Sequence, residues 1–355
     1  MLKIKKISTG KLLIISIPII LFMVVVFYLY HTWHRPLGPS LNLTKTPEQE
    51  KKAANLSARN SALTNTTATG PESNLEAVCG GPPSMMILVA GVGSKNFSAG
   101  PADAIYLVRM DFQARKVSVL YLSPDLWVAI PAVEDHGIKK GRLNQAYLFG
   151  TEKVGFYNGK GRGSELLALT LQENFGLQPN HYIALDLKVF RDIVNEVGGI
   201  EVHFPRDLNL KLSGEDGLVI KAGFQSLNGR QAEKVVRARI KDDDYSRLEN
   251  QIMVLKALTD KTLTSNSLKE LTNLVNFLLD KVKTDLSPSE IKKIICLTRK
   301  IDPEKDITYL HLPRKLLTKK RIRDEFLERK IYAYTWDKDS TRRLINNFQT
   351  GGLPQ

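Results

Sequence analysis

The stretch best suited to chemistry runs from residue 235 to residue 251 and reads VVRARIKDDDYSRLENQ. Arg237 and Arg239 lie two residues apart within it. If this stretch is extended, the two side chains project to the same face, because side chains alternate along a strand. Arginine binds phosphate oxygens through two parallel hydrogen bonds. The pair therefore indicates an anion site.

The second half of the same stretch predicts a helix whose N-terminus lies beside this candidate anion site. Asp244 is a suitable N-cap, and Arg247 and Gln251 follow it by three and seven residues, which places all three on one helical face. A helix N-terminus carries partial positive charge and unpaired N–H groups, which suit a phosphate. The alternative is a solvated basic surface that Asp242, Asp243 and Asp244 neutralise.

Strand and helix patterns alternate along the rest of the chain and would position this site. This alternation predicts an α/β domain, with a mixed β-sheet flanked by helices in an α-β-α sandwich. The predicted strands are Met85–Ala90, Ile105–Met110, Val117–Leu122, His181–Leu187, Ile200–Phe204, Ile307–Leu312 and Ile331–Thr335. The predicted helices are Ser164–Phe175, Lys188–Val197, Gly229–Val236, Tyr245–Leu263, Leu268–Leu279, Ser289–Leu297 and Ser340–Phe348.

The N-terminus predicts a membrane anchor. Four lysines lie within the first eleven residues, ahead of an uncharged run from Leu12 to Tyr30. As a helix with a rise of ~1.5 Å per residue, this run would reach roughly 28 Å, close to the ~30 Å hydrocarbon core of a bilayer. Alternatives are a cleaved signal peptide and a buried core helix. We expect a retained single-pass signal-anchor with a cytoplasmic N-terminus, so that the chain from His31 onward is extracytoplasmic.

Composition divides the chain further. Residues 1–11 form a short cytoplasmic tail, 12–30 the transmembrane helix, 31–83 a flexible linker, 84–350 the folded domain and 351–355 a tail. Apolar residues make up 43% and charged residues 25%, which excludes a wholly disordered or fibrous chain.

The net charge of +14 points to anionic partners. Nucleic acid is not expected, because about ten residues before the span are too few for a DNA-binding domain. The segment from Arg314 to Lys330 is rich in basic residues and predicts a loop and helix. It is either a solvated surface or a contact for an anionic polymer or lipid headgroup. Cys79 and Cys296 could form a disulfide outside the cytoplasm, although two thiols explain the sequence as well.

The Arg-x-Arg to Gln run, with further motifs in the same order, resembles the LytR–CpsA–Psr family of bacterial envelope proteins. The resemblance extends over about residues 84–350. The supporting motifs are ILVAG at 87–91, ADA at 102–104, RLNQAY at 142–147, VGGIEV at 197–202 and LNGRQA at 227–232.

This resemblance implies transfer of a phosphate-linked glycopolymer from an undecaprenyl-pyrophosphate carrier to peptidoglycan. It implies an apolar tunnel for the polyprenyl chain, and Mg²⁺ at the pyrophosphate with Asp103 as a ligand and catalytic residue. Asp244 would assist proton transfer. The residues implied to bind the pyrophosphate are Arg142, Arg237, Arg239, Arg247 and Gln251.

Two departures leave catalysis open. Gly93 stands where the family has an aspartate, and Pro124 stands where it has an arginine. Asp103 together with pyrophosphate could still bind Mg²⁺, more weakly, because that ion is commonly held by one or two carboxylates with waters and phosphates. Asp125 or Arg109 could take the place of the missing arginine. The sequence favours a phosphotransferase, and its alternative is a non-catalytic protein that binds polyprenyl pyrophosphate or an anionic glycopolymer.

Overall fold

The computed structural model describes residues 30–43, 77–210, 217–238, 244–264 and 268–351. Apart from Tyr30, the predicted membrane span lies outside these residues. Within the described part, no helix is long and apolar enough to cross a bilayer.

A mixed six-stranded sheet is the centre of the domain, as the sequence predicts. Its strands are β1 Ser84–Val92, β2 Ala102–Asp111, β3 Lys116–Tyr121, β6 His181–Asp186, β11 Lys283–Thr284 and β12 Ile307–His311. Their order in the sheet is β11-β6-β1-β2-β3-β12; β6 is parallel to β1 and β12 to β3, while the other neighbours are antiparallel.

Helices cover both faces of this sheet, which makes the domain an α-β-α sandwich. The described helices are α1 Leu143–Phe149, α2 Arg162–Phe175, α3 Leu187–Glu196, α4 Gly229–Arg237, α5 Asp244–Thr264, α6 Leu268–Leu279, α7 Pro288–Thr298, α8 Pro303–Asp306 and α9 Lys338–Thr350.

Strand alternation assigns a different role to each face. Leu88 and Ala90 of β1 and Leu107 of β2 face one side, in a core cluster with residues of α1, α2 and α9. The residues between them, among them Val89 and Tyr106, border a cavity on the other side. Because side chains alternate with period two, the two sets stay separate along every strand.

Four smaller strand pairs flank the sheet. Their strands are β4 Trp127–Ala129 with β5 Lys140–Arg142, β7 Ile200–Phe204 with β10 Gly223–Leu227, β8 Leu208–Leu210 with β9 Leu218–Ile220, and β13 Leu317–Asp324 with β14 Arg329–Trp336. The β13–β14 pair corrects the prediction of a loop and helix for residues 314–330. This segment instead forms a long antiparallel hairpin with β14.

Part of the segment predicted as a linker lies against the domain. The backbone N–H of Leu37 donates to the carbonyl of Leu286 at 3.3 Å. Leu41 and Leu43 pack against the main core cluster. The chain thus contacts the domain well before residue 84.

Cys79 and Cys296 form a disulfide, with their Cα atoms 5.9 Å apart. The bond joins the start of the domain to α7 across a sequence separation of 217 residues. A cross-link that closes so long a loop removes much of the conformational entropy of the unfolded chain.

We expect reduction of this disulfide to lower the free energy of unfolding by about 2–4 kcal/mol. Guanidinium unfolding of the full chain, with and without dithiothreitol, measures the change. The matched control is the double variant Cys79→Ser/Cys296→Ser. Its free energy of unfolding should equal that of the reduced wild type and should not change with dithiothreitol. Equal stability of the oxidised wild type and this variant would contradict the prediction.

Candidate functional site

A cavity of about 620 Å³ separates the open face of the sheet from α5. Its floor comes from alternate residues of β1, β2, β3 and β12, and its roof from α5 residues at helical spacing. This volume falls within the ~300–1,000 Å³ of ordinary ligand pockets. The residues of α5 that line it are Arg247, Gln251, Val254, Leu255, Leu258, Thr259, Thr262 and Leu263.

The lining changes in character along α5. Arg247 and Gln251 lie near its N-terminal end, and every later lining residue is aliphatic or threonine. From Arg247 to Leu263 the helix rises roughly 24 Å at ~1.5 Å per residue. The cavity therefore combines a polar end with a long apolar part.

Four of the seven site residues predicted from the sequence line this one cavity. Asp103 of β2, Arg237 of α4, and Arg247 and Gln251 of α5 all border it. Arg237, Arg247 and Gln251 come from neighbouring helices, whereas Asp103 lies more than 130 residues earlier in β2, so the fold brings Asp103 to the others.

A buried ion-pair network adds Arg142 to this end of the cavity. Asp125 forms ion pairs with two arginines. Its Oδ2 lies 3.1 Å from Arg247 Nη2, and its Oδ1 lies 3.1 Å from Arg142 Nη1. The side chains of Arg247 and Asp125 are 9% and 5% exposed, so solvent screens their pair little. Arg142 also donates through Nη2 to the carbonyl of Tyr332. Asp125 thus fixes the orientation of both guanidinium groups.

Gln251 connects three elements. Its Nε2 donates to the carbonyl of Val236 at 3.2 Å, and its Oε1 accepts from the Tyr106 hydroxyl at 3.4 Å. Burial, together with the nearby Tyr121, raises the pKa of Tyr106 far above its ordinary value, so the hydroxyl stays protonated. Tyr106 was not predicted as a site residue from the sequence. The alternation of side chains along β2 could have indicated it, because it places Tyr106 on the same face as Ala104.

The backbone around Arg237 is helical, in agreement with the predicted helix Gly229–Val236 and against the extended conformation considered for residues 235–240. Val235, Val236 and Arg237 end α4, and the chain becomes extended at Ala238. Arg237 pairs with Glu233, one helical turn earlier, at 3.2 Å. Glu233 also pairs with Arg191 at 2.7 Å. The side chain of Arg237 is 41% exposed, which leaves it accessible to a ligand.

Gly93 lies directly beside the carboxylate of Asp103 in space. A Cβ built on Gly93 would lie 2.5 Å from Asp103 Oδ2. Asp186, which also lines the cavity, has its carboxylate engaged by the backbone N–H groups of Val189 and Asn96. Within the described residues, no group of three or more His, Cys, Asp or Glu side chains could hold a metal. The residues fit Mg²⁺ only when phosphate oxygens share its coordination.

Comparison with known proteins identifies the family. The model of the LytR_cpsA_psr family matches residues 49–349. This chain belongs to the LytR–CpsA–Psr family. The sequence of an Enterococcus faecalis relative, named polyisoprenyl-teichoic acid–peptidoglycan teichoic acid transferase TagU, is 31% identical over 197 residues. The match covers 55% of this chain and 58% of TagU, so the chain spans little more than half of that relative's length.

Solved structures share the fold. TagV of B. subtilis superposes with a TM-score of 0.60 at 20% identity, covering 76% of this chain and 98% of TagV. The structure of TagT bound to LIIa-WTA superposes with a TM-score of 0.54 at 19% identity, covering 76% of this chain and 90% of TagT. The expected mixed α/β architecture is confirmed.

The structure locates the two residues that the sequence analysis suggested in place of an arginine at position 124. Arg109 is not at the site, because it lies on the opposite face of the sheet, where it binds Asp111 and the carbonyl of Gln349. Asp125 does lie at the site, where it contributes a carboxylate and no cation.

Two predicted residues remain incompletely described. Arg239 lies outside the described residues, and so does the side chain of Asp244. The sequence analysis placed Asp244 as the N-cap, directly before the helix. In the structure Asp244 is the first residue of α5, one position from that prediction. Their roles stay predictions.

Proposed function

We propose that this protein transfers a phosphate-linked glycopolymer from an undecaprenyl-pyrophosphate carrier to peptidoglycan. It would act outside the cytoplasm, held by the N-terminal signal-anchor. One observation carries the proposal: a single cavity that is apolar for most of its length and bears arginine, glutamine and aspartate at one end. A polyprenyl pyrophosphate has the same division into a long apolar chain and a compact anionic head.

The relatives support this substrate class. The name of the Enterococcus faecalis relative describes a polyisoprenyl-linked donor and a peptidoglycan acceptor. TagT, which shares the fold, has been solved in complex with LIIa-WTA. The apolar part of our cavity would hold the polyprenyl chain, with burial contributing about 25 cal/mol per Å² of apolar surface.

The reaction would proceed by attack of an acceptor hydroxyl on the phosphorus that carries the glycopolymer. The bond from this phosphorus to the polyprenyl phosphate breaks, and polyprenyl phosphate leaves. The hydroxyl proton would pass to the Asp244 carboxylate. Arg247 and Arg237 would neutralise the charge that develops on the phosphate oxygens.

Asp103 would hold Mg²⁺ jointly with the pyrophosphate. Bound there, the ion would supply further charge neutralisation for the phosphate oxygens. Gln251, fixed by Tyr106 and Val236, would position a phosphate oxygen. Arg142 would act through Asp125, which holds it beside Arg247.

The second candidate is a protein that binds the same lipid without catalysis. Asp125 favours it, because its carboxylate already neutralises part of the charge on Arg142 and Arg247. Pro124 also removes a cationic donor, and such a loss can cost ~10²–10³ in rate. The two candidates share the ligand and differ in product formation.

The test uses the full chain in detergent, a synthetic polyprenyl-pyrophosphate glycan and peptidoglycan fragments. Mass spectrometry detects a conjugate of glycan phosphate and peptidoglycan. Its formation supports the transferase, and its absence together with measurable lipid binding supports the binding protein. Failure to bind the lipid would contradict both.

Arg237→Ala should weaken binding of the lipid pyrophosphate about 10–100-fold, because one charge-assisted hydrogen bond contributes roughly 1.5–3 kcal/mol. The thermal midpoint should hardly change, since the side chain is well exposed. The matched control is Arg191→Ala, which removes the other partner of Glu233 and does not line the cavity. In a calorimetric titration, weaker binding of the lipid by Arg237→Ala than by Arg191→Ala supports the role of Arg237 in binding the pyrophosphate. Equal affinities of the two variants contradict that role.

Gly93→Asp should strengthen Mg²⁺ binding when a pyrophosphate lipid analogue is present, because it places a second carboxylate next to Asp103. Without Mg²⁺ any side chain at position 93 should lower the unfolding temperature, because its Cβ would lie 2.5 Å from Asp103 Oδ2, and Gly93→Asp should lower it further than Gly93→Asn because two like charges repel. Gly93→Asn is the control of similar size without the charge. Calorimetry that detects no gain in Mg²⁺ affinity would show that the two positions do not share a metal.

A further inference from the structure

The β13–β14 hairpin presents a basic outer face. Cross-strand partners share a face, and Arg321 is opposite Tyr332, Lys319 opposite Tyr334, and Arg323 opposite Lys330. The partners Ile322 and Ile331, and Lys320 with Ala333, alternate onto the other face. Ile331 and Ala333 are buried, so that second face is turned toward the domain. Four cations, Lys319, Arg321, Arg323 and Lys330, thus share one outward surface with the exposed ring of Tyr332, while Tyr334 is half-buried and packs against the main core.

The cations of this outer face form no ion pair with the hairpin's own carboxylates. Asp324 is buried on the other face, where it accepts from Gln145 Nε2 at 2.9 Å. Glu325 and Glu328 lie in the turn between the two strands, and Glu325 accepts from the backbone N–H of Lys139 at 3.3 Å. Across the part of the chain that the structure describes, no ion pair involves Lys319, Arg321, Arg323 or Lys330.

Tyr332 lies at the centre of this face and is 56% exposed. Lys319 Nζ lies 5.1 Å from its ring centroid, and Arg321 Cζ lies 6.0 Å from it. An exposed aromatic ring between two cations suits a polymer that carries both sugar or polyol carbons and phosphates. A lipid surface would instead select several exposed apolar side chains. The described hairpin exposes Tyr332 on this face and, at its turn, Leu327, which is 39% exposed.

The outer face begins at the polar end of the cavity. Arg142, which pairs with Asp125, donates to the carbonyl of Tyr332. The backbone N–H of Tyr334 donates to the carbonyl of Asp125 at 2.9 Å. Asp125 in turn pairs with Arg247 in the cavity lining. A ligand that leaves the cavity at this end therefore meets the hairpin.

We propose that the outer face of the β13–β14 hairpin binds the polyanionic part of the glycopolymer that extends from the pyrophosphate. This inference rests on the proposed function, and it adds a binding surface for the polymer outside the cavity. Lys319, Arg321 and Arg323 follow one another at about 6.8 Å, twice the rise of an antiparallel strand. Such a row contacts successive anionic groups along an extended polymer.

The experiment compares two double charge reversals in the full chain, held in phosphatidylcholine nanodiscs. The outer-face variant is Lys319→Glu/Arg321→Glu. The matched control is Lys320→Glu/Arg329→Glu, which makes the same change in composition and charge on the alternate positions of the hairpin. The probe is an oligo(glycerol phosphate), with a neutral dextran of similar length for comparison.

We expect the outer-face variant to bind the oligo(glycerol phosphate) at least 10-fold more weakly than wild type, and the control variant within about 3-fold. Wild-type binding should fall steeply with salt, and dextran should bind no variant well. Equal affinities in wild type and the outer-face variant, with thermal midpoints confirming both folds, would overturn the proposal. Loss of wild-type binding in phosphatidylglycerol nanodiscs would also overturn it, because lipid headgroups would then occupy this surface.

Farnesyl pyrophosphate distinguishes failure here from failure of the proposed function. Both hairpin variants should bind it as wild type does, because the hairpin lies outside the apolar cavity. A wild-type chain that does not bind farnesyl pyrophosphate contradicts the proposed function, whatever the hairpin variants show. Normal farnesyl pyrophosphate binding with unchanged polymer affinity contradicts the hairpin proposal alone.

Discussion

On the proposed transferase function, we expect Asp103→Asn to lower glycopolymer transfer by about 10²–10³-fold while the lipid pyrophosphate still binds. The substitution removes the carboxylate that would hold Mg²⁺ with the phosphate oxygens, and loss of such charge stabilisation costs this much in other enzymes. The arginines and the apolar part of the cavity, which provide the binding, are unchanged. Initial rates of conjugate formation and calorimetric titration of the lipid measure the two quantities separately.

Asp192→Asn is the matched control, because it makes the same charge change in α3 outside the cavity lining. It should leave both the rate and the affinity near the wild-type values. A catalytic wild type whose rate survives Asp103→Asn would remove Asp103 from the mechanism. An inactive wild type whose lipid affinity changes only modestly in this variant would establish the binding protein.

Asp125→Ala will lower the free energy of unfolding by about 3–5 kcal/mol. The substitution removes the shared carboxylate partner of Arg142 and Arg247. Arg247 is almost fully buried, and a buried guanidinium that loses its carboxylate keeps the cost of desolvation without the compensating attraction. Guanidinium unfolding followed by circular dichroism measures the change.

Two comparisons isolate the ion pairs as the cause. Asp125→Asn keeps the shape of the side chain and one oxygen acceptor, so it should lower the free energy of unfolding by less than Asp125→Ala does. Asp207→Ala breaks the exposed pair with Lys221 and should have little effect. A loss below about 1 kcal/mol in Asp125→Ala would show that solvent or nearby groups replace the carboxylate.

The sequence predicted the central elements well because their patterns are strong. The apolar strands around Leu88 and Leu107 and the α5 helix lie close to their predicted bounds. The strand at residues 317–324 was missed, since its alternate positions are cations and its apolar residues are few. Its pairing with β14 provides the hydrogen bonds that make it a strand.

The candidate site was predicted unevenly for a similar reason. Asp103, Arg237, Arg247 and Gln251 were named from spacing and resemblance, and the fold places all four on one cavity. The bridging role of Asp125 depends on a contact across 122 residues of sequence, which no local pattern indicates. The helix predicted for Gly229–Val236 is confirmed, because the capping box of Asn228 and Gln231 starts a helix that continues through Arg237. The extended conformation considered for residues 235–240 therefore does not hold at Val235–Arg237.

The covalent bond between Cys79 and Cys296 also determines how tension would travel through the molecule. A pull on the chain from the N-terminal side would first load the contacts of residues 37–43, where the backbone N–H of Leu37 donates to Leu286 and where Leu41 and Leu43 pack against the core. The load then reaches Cys79, where it passes through the disulfide into α7 before it reaches β1 at Ser84. β1, one of the strands that form the floor of the cavity, is therefore shielded from a load applied at the N-terminal side, and the domain should keep its ligand geometry under tension.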